Sequence, residues 1–537
     1  MTGAEAAELV LLSAKIWTGD PARPEAEALA VRGGRIVAVG SNADVAPLRG
    51  PKTRVLEGRG RRVVPGFIDA HTHMTMGGFN LLAVDLRTTK DPADFTRKLA
   101  AFAKTRPPGQ WITDGAWDHE QWTPPRLPTK ELLDPAAGDR PVCLQRQDGH
   151  MMVCNSRALA AARITRETPD PPGGVIVRDA KGEPTGVLKD AAMDAIAAAR
   201  PARTPAEIEE ALKAAMREAA RSGVTSVQDL PGNPADLDAW ERLRAAGELT
   251  VRVNYRPSLS EWEKARDRRA AMGNDEWLRV GGVKGFADGS LGSTTALFFE
   301  PYADDPGNRG VFAAEAIPLA RLEERVCGAD RAGLQVEIHA IGDRANAEIL
   351  DLFERVAKAN GPRDRRFRIE HAQHPRPADI PRFAALGVVA SMQPYHAVDD
   401  GRWAEMRIGT VRCRTTYAFR SLLDAKARLV FGSDWDVAPL SPLLGIAAAV
   451  TRRTIDGKNP GGWFPEQRIA PEEALRAYTS DAAWAAFEEG DKGALAVGKL
   501  ADFVTLSRDP LAVPPEELAA VAVALTVVGG RIVFGGD

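Results

Sequence analysis

Val63-Val-Pro-Gly-Phe-Ile-Asp-Ala-His-Thr-His73 is the stretch from which the rest of the chain can be read. It opens as a β-branched apolar run and closes on two histidines. That is the pattern of a strand buried along its length and polar at its C-terminal end. Residues two apart on an extended strand share a face, so His71 and His73 point the same way and can reach one metal ion. With only eight histidines in 537 residues, chance supplies about 0.1 such pairs per chain.

Seven more apolar segments downstream also end in polar residues: Val224 to Asp229, Thr250 to Tyr255, Val280 to Asp288, Leu334 to His339, Phe367 to His371, Val388 to Gln393 and Leu429 to Asp434. Helical stretches such as Pro205 to Arg221 and Arg344 to Asn360 separate most of them. Eight such units predict an α/β chain built on a (β/α)8 TIM barrel. Active-site residues in that fold stand at the C-terminal ends of strands. Reading those ends gives His71 and His73, Lys284, His339, His371 and Asp434, on strands one, four, five, six and eight. Nitrogen and carboxylate donors of this kind suit zinc or a similar divalent metal. The interval from His73 to Val224 is too long for one helical connection. It predicts an insertion over about residues 75–200, rich in Trp and Pro (Trp111, Trp117, Trp122, Pro124, Pro125) and placed as a cap over the barrel mouth.

The two ends of the chain read alike. Val31-Arg-Gly-Gly-Arg-Ile-Val-Ala-Val-Gly40 is a hairpin with a Gly-Gly turn, and Val527-Val-Gly-Gly-Arg-Ile-Val-Phe-Gly-Gly536 repeats it. They predict one small β-sandwich domain assembled from both termini, residues 1–62 and 486–537, around a barrel of 63–485. Composition agrees with an ordinary globular chain: 44% hydrophobic and 27% charged residues exclude a disordered or collagen-like protein. Lys plus Arg total 70 against 73 Asp plus Glu, a net charge of -3, so neither nucleic acid nor an anionic membrane is called for as a partner. Cys143, Cys154, Cys327 and Cys413 form no CxxC pair, which points to a reducing compartment. The N-terminus has no basic segment of a secretory signal and no apolar run is long enough for a membrane span. A cytoplasmic protein is expected, a homodimer by base rate.

The motifs resemble those of the amidohydrolase superfamily of metal-dependent hydrolases. Pro65-Gly-Phe-Ile-Asp-Ala-His-Thr-His73 matches its strand-one signature. The resemblance extends over nearly the whole chain to the YtcJ-like, or amidohydrolase 3, branch, which includes N-substituted formamide deformylases. It is carried by Gly115-Ala-Trp-Asp, Asp148-Gly-His-Met-Met-Val-Cys-Asn-Ser, Gly182-Glu-Pro-Thr-Gly-Val-Leu, Val283-Lys-Gly-Phe-Ala-Asp-Gly-Ser-Leu-Gly-Ser, Val336-Glu-Ile-His-Ala-Ile-Gly-Asp, Ile369-Glu-His-Ala-Gln, Ser391-Met-Gln-Pro-Tyr-His and Gly432-Ser-Asp-Trp.

The resemblance implies two zinc ions per chain. His71 and His73 would hold the buried one and His339 and His371 the outer one. Lys284 would bridge them as a carbamate formed with carbon dioxide, since an ammonium cannot bind a cation whereas a carbamate is an anionic oxygen ligand. Asp434 would bind metal and act as general base and then acid, with a water shared by the metals as the nucleophile. The expected reaction is hydrolysis of a carbon-nitrogen bond other than a peptide bond, in a small linear amide such as an N-acyl or N-formyl amine. Candidate substrate contacts are His396 after strand seven, Asp288 in the loop after strand four, and His150 and Trp117 in the insertion. Three other readings compete. A deaminase of a nucleobase-like ring would typically lack the strand-four lysine and carry a Glu near strand five. Here Lys284 is present and no Glu directly follows His339, although Glu337 and Glu370 lie close by. A lactone or ester hydrolase would use the same site. A non-catalytic member would have lost ligands, and all six positions are filled.

Overall fold

A computed structural model of the protein describes residues 5–119, 122–146, 151–171, 174–230, 234–273 and 275–536; His150 lies outside them. The chain forms two compact units, Met1–Met74 with Met216–Asp537, and Thr75–Ala215.

The first unit contains the barrel. Its strands are β1 (Phe67–Thr72), β2 (Val224–Asp229), β3 (Arg252–Tyr255), β4 (Leu278–Val280, then Gly282–Phe286), β5 (Gln335–Ala340), β6 (Arg368–His371), β7 (Val389–Met392) and β8 (Arg428–Phe431). Each pairs in parallel with the next, and β3 meets the second half of β4 through a parallel bridge from Ser258 to Lys284. The ring closes just past the ends of β8 and β1. The Asp434 amide donates to the His71 carbonyl at 2.8 Å and the His73 amide to the Trp435 carbonyl at 2.7 Å. Closure therefore runs through the residues expected to do chemistry.

Two glycines shape the barrel in ways the strand pattern did not foretell. The predicted first strand began at Val63, but Arg62–Pro65 is a strand of the terminal sheet and β1 starts at Phe67. Gly66 separates them because a Cβ there would lie 2.1 Å from Thr225 Oγ1. Likewise β4 was expected unbroken from Val280. It is interrupted at Gly281, where a Cβ would lie 1.8 Å from Asn254 Oδ1.

The termini build two sheets. One is antiparallel and parallel by turns, in the order Arg35–Gly40, Ala28–Arg32, Leu9–Leu12, Arg54–Glu57. The other joins Arg531–Gly535, Val523–Val528 and Phe503–Leu506 from the C-terminal end to Arg62–Pro65, Lys15–Trp17 and Glu25–Ala26 from the N-terminal end. Leu9, Leu11, Ile16, Leu29 and Val63 pack with Phe503 and Val527 into one apolar core. Both repeated hairpins turn on two glycines of positive φ: Gly33 and Gly34 at 58° and 73°, Gly529 and Gly530 at 55° and 73°. Those are the values a two-residue turn needs to match strand twist, and glycine adopts them without a Cβ clash.

The second unit carries a five-stranded sheet in the order Gly174–Arg178, Pro184–Asp190, Met151–Cys154, Val142–Gln145, Ile112–Thr113. Helices Pro92–Ala103 and Lys130–Ala137 pack on one another, and Phe95, Leu99, Trp117, Trp122 and Leu133 fill the core. Trp117 is fully buried there, its indole donating to the Leu144 carbonyl at 2.7 Å. Among the described residues no helix is long and apolar enough to cross a membrane.

Candidate metal centre

His71, at the end of β1, has its Nδ1–H directed to Glu370 Oε2 at 2.5 Å and its Nε2 toward Asp434 Oδ1 at 3.3 Å; against burial and Lys284, which lower it, the two carboxylates raise its pKa. His73 Nε2 meets the same oxygen at 3.1 Å. His371 gives its Nδ1–H to Gln393 Oε1 at 2.8 Å, freeing Nε2. The ring centroids of His71 and His371 are 4.9 Å apart, and those of His371 and His339 4.6 Å. His339 Nε2 faces the Gly289 carbonyl at 3.0 Å, which leaves Nδ1 as its acceptor. In each case a partner on one ring nitrogen fixes the tautomer and presents the other.

Ligand atoms of His71, His371 and Asp434 all lie within 4.8 Å of one another, and all three side chains are buried. Among the described residues no other three His, Cys, Asp or Glu side chains converge in this way. The nitrogen-oxygen spacings of 3.1 and 3.3 Å fit a shared ion, because two donors bound tetrahedrally at about 2.0–2.2 Å stand about 3.4 Å apart. Lys284, 1% exposed, lies among these groups, its ammonium 4.7 Å from the Phe286 ring centroid. Among the described residues that nitrogen has no hydrogen bond and no carboxylate within 4.0 Å. A charged amine buried so poorly satisfied is costly.

The electrostatics follow from burial. Desolvation lowers the pKa of Lys284, and lowers His371 well below the ordinary imidazole range and His339 to about 3. The two imidazoles are held neutral, the form that ligates metal, and the Lys284 amine is shifted toward the form that takes up carbon dioxide. Burial alone would raise Asp434, but His71 and His73 outweigh it and hold the carboxylate well below its usual range. Glu370 is pulled down in the same way: Arg368 and His71 outweigh the burial.

Backbone geometry aims two of the side chains. On β6 the alternation puts Arg368 and Glu370 on one face, so His371 should point the other way. It has φ 72° and turns back toward the site; Asp434, past the end of β8, has φ 57°. Left-handed backbone is uncommon for non-glycine residues and concentrates where function demands it.

Of the remaining candidates, His396 comes closest, its Nε2 3.8 Å from Asp434 Oδ2 and its ring stacked on His371. Asp288 Oδ1 lies 3.5 Å from His339 Nε2, but its hydrogen bonds are made to the backbone. Its carboxylate accepts from the amides of Leu297, Ile341 and Gly342 at 2.8, 3.0 and 2.8 Å, and burial pushes its pKa up to about 7. The glycine-rich loop it pins delivers the Gly289 carbonyl to His339. Three residues of the site were not singled out from the sequence. Asp69 accepts from the amides of His71 and Ser433 at 3.1 and 2.9 Å, and Glu370 and Gln393 orient His71 and His371. The available signal was position: Asp69 and Glu370 each directly neighbour or alternate with a candidate ligand on its strand, and Gln393 ends the seventh.

The chain matches the amidohydrolase family over residues 54–534. It belongs to that family and is a hydrolase of the amidohydrolase type. The protein LONG AFTER FAR-RED 3 of Arabidopsis thaliana is 40% identical to it over 98% of this chain and 92% of its own length. YtcJ of Bacillus subtilis (strain 168), an amidohydrolase by name, is 34% identical over 95% and 96%. The N-substituted formamide deformylase of Arthrobacter pascens is 29% identical over 97% of each chain. Among solved structures, an uncharacterised metal-dependent hydrolase of Pyrococcus furiosus superposes with a TM-score of 0.77 at 29% identity, covering 94% of this chain and 99% of its own.

Proposed function

We propose that the protein is a metal-dependent hydrolase of a small linear amide, an N-acyl or N-formyl amine, with a pair of zinc ions held by His71, His73, His339, His371, Asp434 and a carboxylated Lys284. The observation that carries this reading is the convergence of the buried His71, His371 and Asp434 ligand atoms, together with a buried Lys284 whose amine forms no hydrogen bond or ion pair among the described residues. The similarity to a formamide deformylase over nearly the whole chain supports the choice of substrate class.

When bound, such ions polarise a substrate carbonyl and acidify an associated water. Every other part of the work falls to side chains. Glu370 and Gln393 hold the two imidazoles in the ligating tautomer, and Asp69 ties the ends of β1 and β8 together beneath them. Asp434, kept ionised by His71 and His73, takes a proton on its carboxylate and returns it to the departing amine. The amine needs that proton because an amide anion is too basic to leave. His396, beside the Asp434 carboxylate, is placed to touch the substrate.

The test is to incubate zinc-loaded protein with N-formyl and N-acyl amines and follow the products by mass spectrometry. Free amine and acid are expected. A shift of about one mass unit with the substrate skeleton kept would instead indicate deamination. Cleavage of lactones or esters with no amide cleaved would overturn the amide reading.

A further inference from the structure

Eleven residues apart on successive strands, Cys143 and Cys154 are brought face to face by the insertion's sheet. Strands Val142–Gln145 and Met151–Cys154 pair antiparallel with Cys143 directly opposite Cys154. The Asn155 amide bonds the Val142 carbonyl at 2.9 Å and the Arg146 amide the Met151 carbonyl at 2.8 Å. Antiparallel pairs alternate between bonded and non-bonded. Counting inward from those two bonds makes 143/154 a non-bonded pair. Such pairs have Cα atoms about 4.5 Å apart, within the roughly 4.4–6.8 Å that a disulfide spans. Both side chains enter one apolar cluster with Leu159, Ile176, Leu188 and Ile196, so they leave the sheet on the same face. Both are free thiols here.

We propose that Cys143 and Cys154 are a redox pair that a peroxide closes into a cross-strand disulfide. One sulfur attacks the peroxide, the O–O bond breaks, and a sulfenic acid and one water form. The second sulfur then attacks the sulfenic sulfur, the S–S bond forms, the S–O bond breaks and a second water leaves with the thiol proton. Two thiols lose two electrons and hydrogen peroxide is reduced to two waters. Burial pushes the Cys143 thiol up to about 12 and Cys154 well above its ordinary value, so both thiolate attacks are slow, and proximity favours the second over competing reactions of the sulfenic acid. Cys327, partly exposed, and Cys413 serve as internal controls, since neither faces another cysteine across a strand pair.

Peptide mapping tests this on the full-length protein. After treatment with hydrogen peroxide and blocking of the remaining thiols, trypsin is applied without reductant. Cleavage after Lys130, Arg146 and Arg157 places Cys143 and Cys154 in separate peptides, Arg140 being protected by Pro141. The expected result is one species with the summed mass of both peptides less two hydrogens, split by a reductant. Cys143→Ala should abolish it and Cys327→Ala should leave it. Recovery of both peptides unlinked while Cys327 is oxidised would overturn the proposal, and so would a link that survives Cys143→Ala.

Discussion

Two layers of the same barrel interior bury charge in opposite ways. At the C-terminal rim, His71 and His371 each have one ring nitrogen fixed by a partner, and their ligand atoms converge with that of Asp434. One layer down, the charges close on themselves. Glu337 is ion-paired with both Arg256 and Arg368, Arg368 with Glu370 at 2.9 Å, and all four side chains are fully buried. Arg256 also donates to Gln335 at 2.8 Å and Gln228 at 3.1 Å, and Arg368 to Ser391 at 2.7 Å and the Ala70 carbonyl. Strand β5 supplies Glu337 to the lower layer and His339 to the rim; β6 supplies Arg368 and His371. The lower layer pairs its charges within the protein and so holds shape, although Arg256 Nε, Arg368 Nε and Gln228 Nε2 make no hydrogen bond. The rim leaves donor atoms facing each other and so invites a cation. Glu370 belongs to both, passing the rigidity of Arg368 to His71.

Substitutions should separate the two layers. The largest effect is expected from Asp434→Asn, which keeps the shape and removes the proton carrier: amide hydrolysis should fall about 10²–10⁴-fold, read as kcat/KM, while the apoprotein unfolds at nearly the same denaturant concentration. Arg368→Met should do the reverse of sparing stability. It leaves Glu337 with Arg256 alone and Glu370 with His71 alone, and breaking a buried pair costs about 3–5 kcal/mol, measured by urea unfolding of the metal-free protein. If Asp434→Asn destabilises as much as Arg368→Met, the division between layers is wrong. Glu370→Gln sits between them. It keeps a hydrogen-bond acceptor for His71 but removes its charge, and zinc affinity should drop about 10–100-fold in a chelator competition.

The last expectation, a slope read over several pH units, concerns a histidine outside both layers. His374 is buried beside Phe298, with Thr416 Oγ1 2.8 Å from its Nδ1, and burial lowers its pKa to about 3. Its unfolded value is about 6.5. Below that pH the unfolded chain takes up a proton that the fold refuses, so stability is present above about pH 6.5 and is lost as the pH falls toward 3, by up to about 1.4 kcal/mol per pH unit. His374→Phe should flatten the stability profile of the apoprotein by that one proton, and an unchanged slope would show that His374 is protonated in the fold.

The strand ends that carry chemistry were legible because a barrel confines them to one rim, and residue type at each end could be read off directly. The six candidate ligands and the paired terminal hairpins came from such local signals. What local pattern could not reveal was contact between distant segments. Gly66 and Gly281 break strands because of Thr225 and Asn254, which lie far along the chain. Strict alternation turns His371 away from the site, and only its left-handed backbone brings it back. Glu370 looked like a stray carboxylate near strand six, and its value lies in His71, 299 residues away. Cys143 and Cys154 read as unrelated until strand register set them opposite.

The most direct test of the rim as a metal centre is elemental analysis of protein expressed with added zinc and bicarbonate. Close to two zinc ions per chain is the predicted value, with the mass of one carbon dioxide added to the intact chain in native-state mass spectrometry and lost in Lys284→Ala. A metal content near zero, persisting after reconstitution, would contradict it.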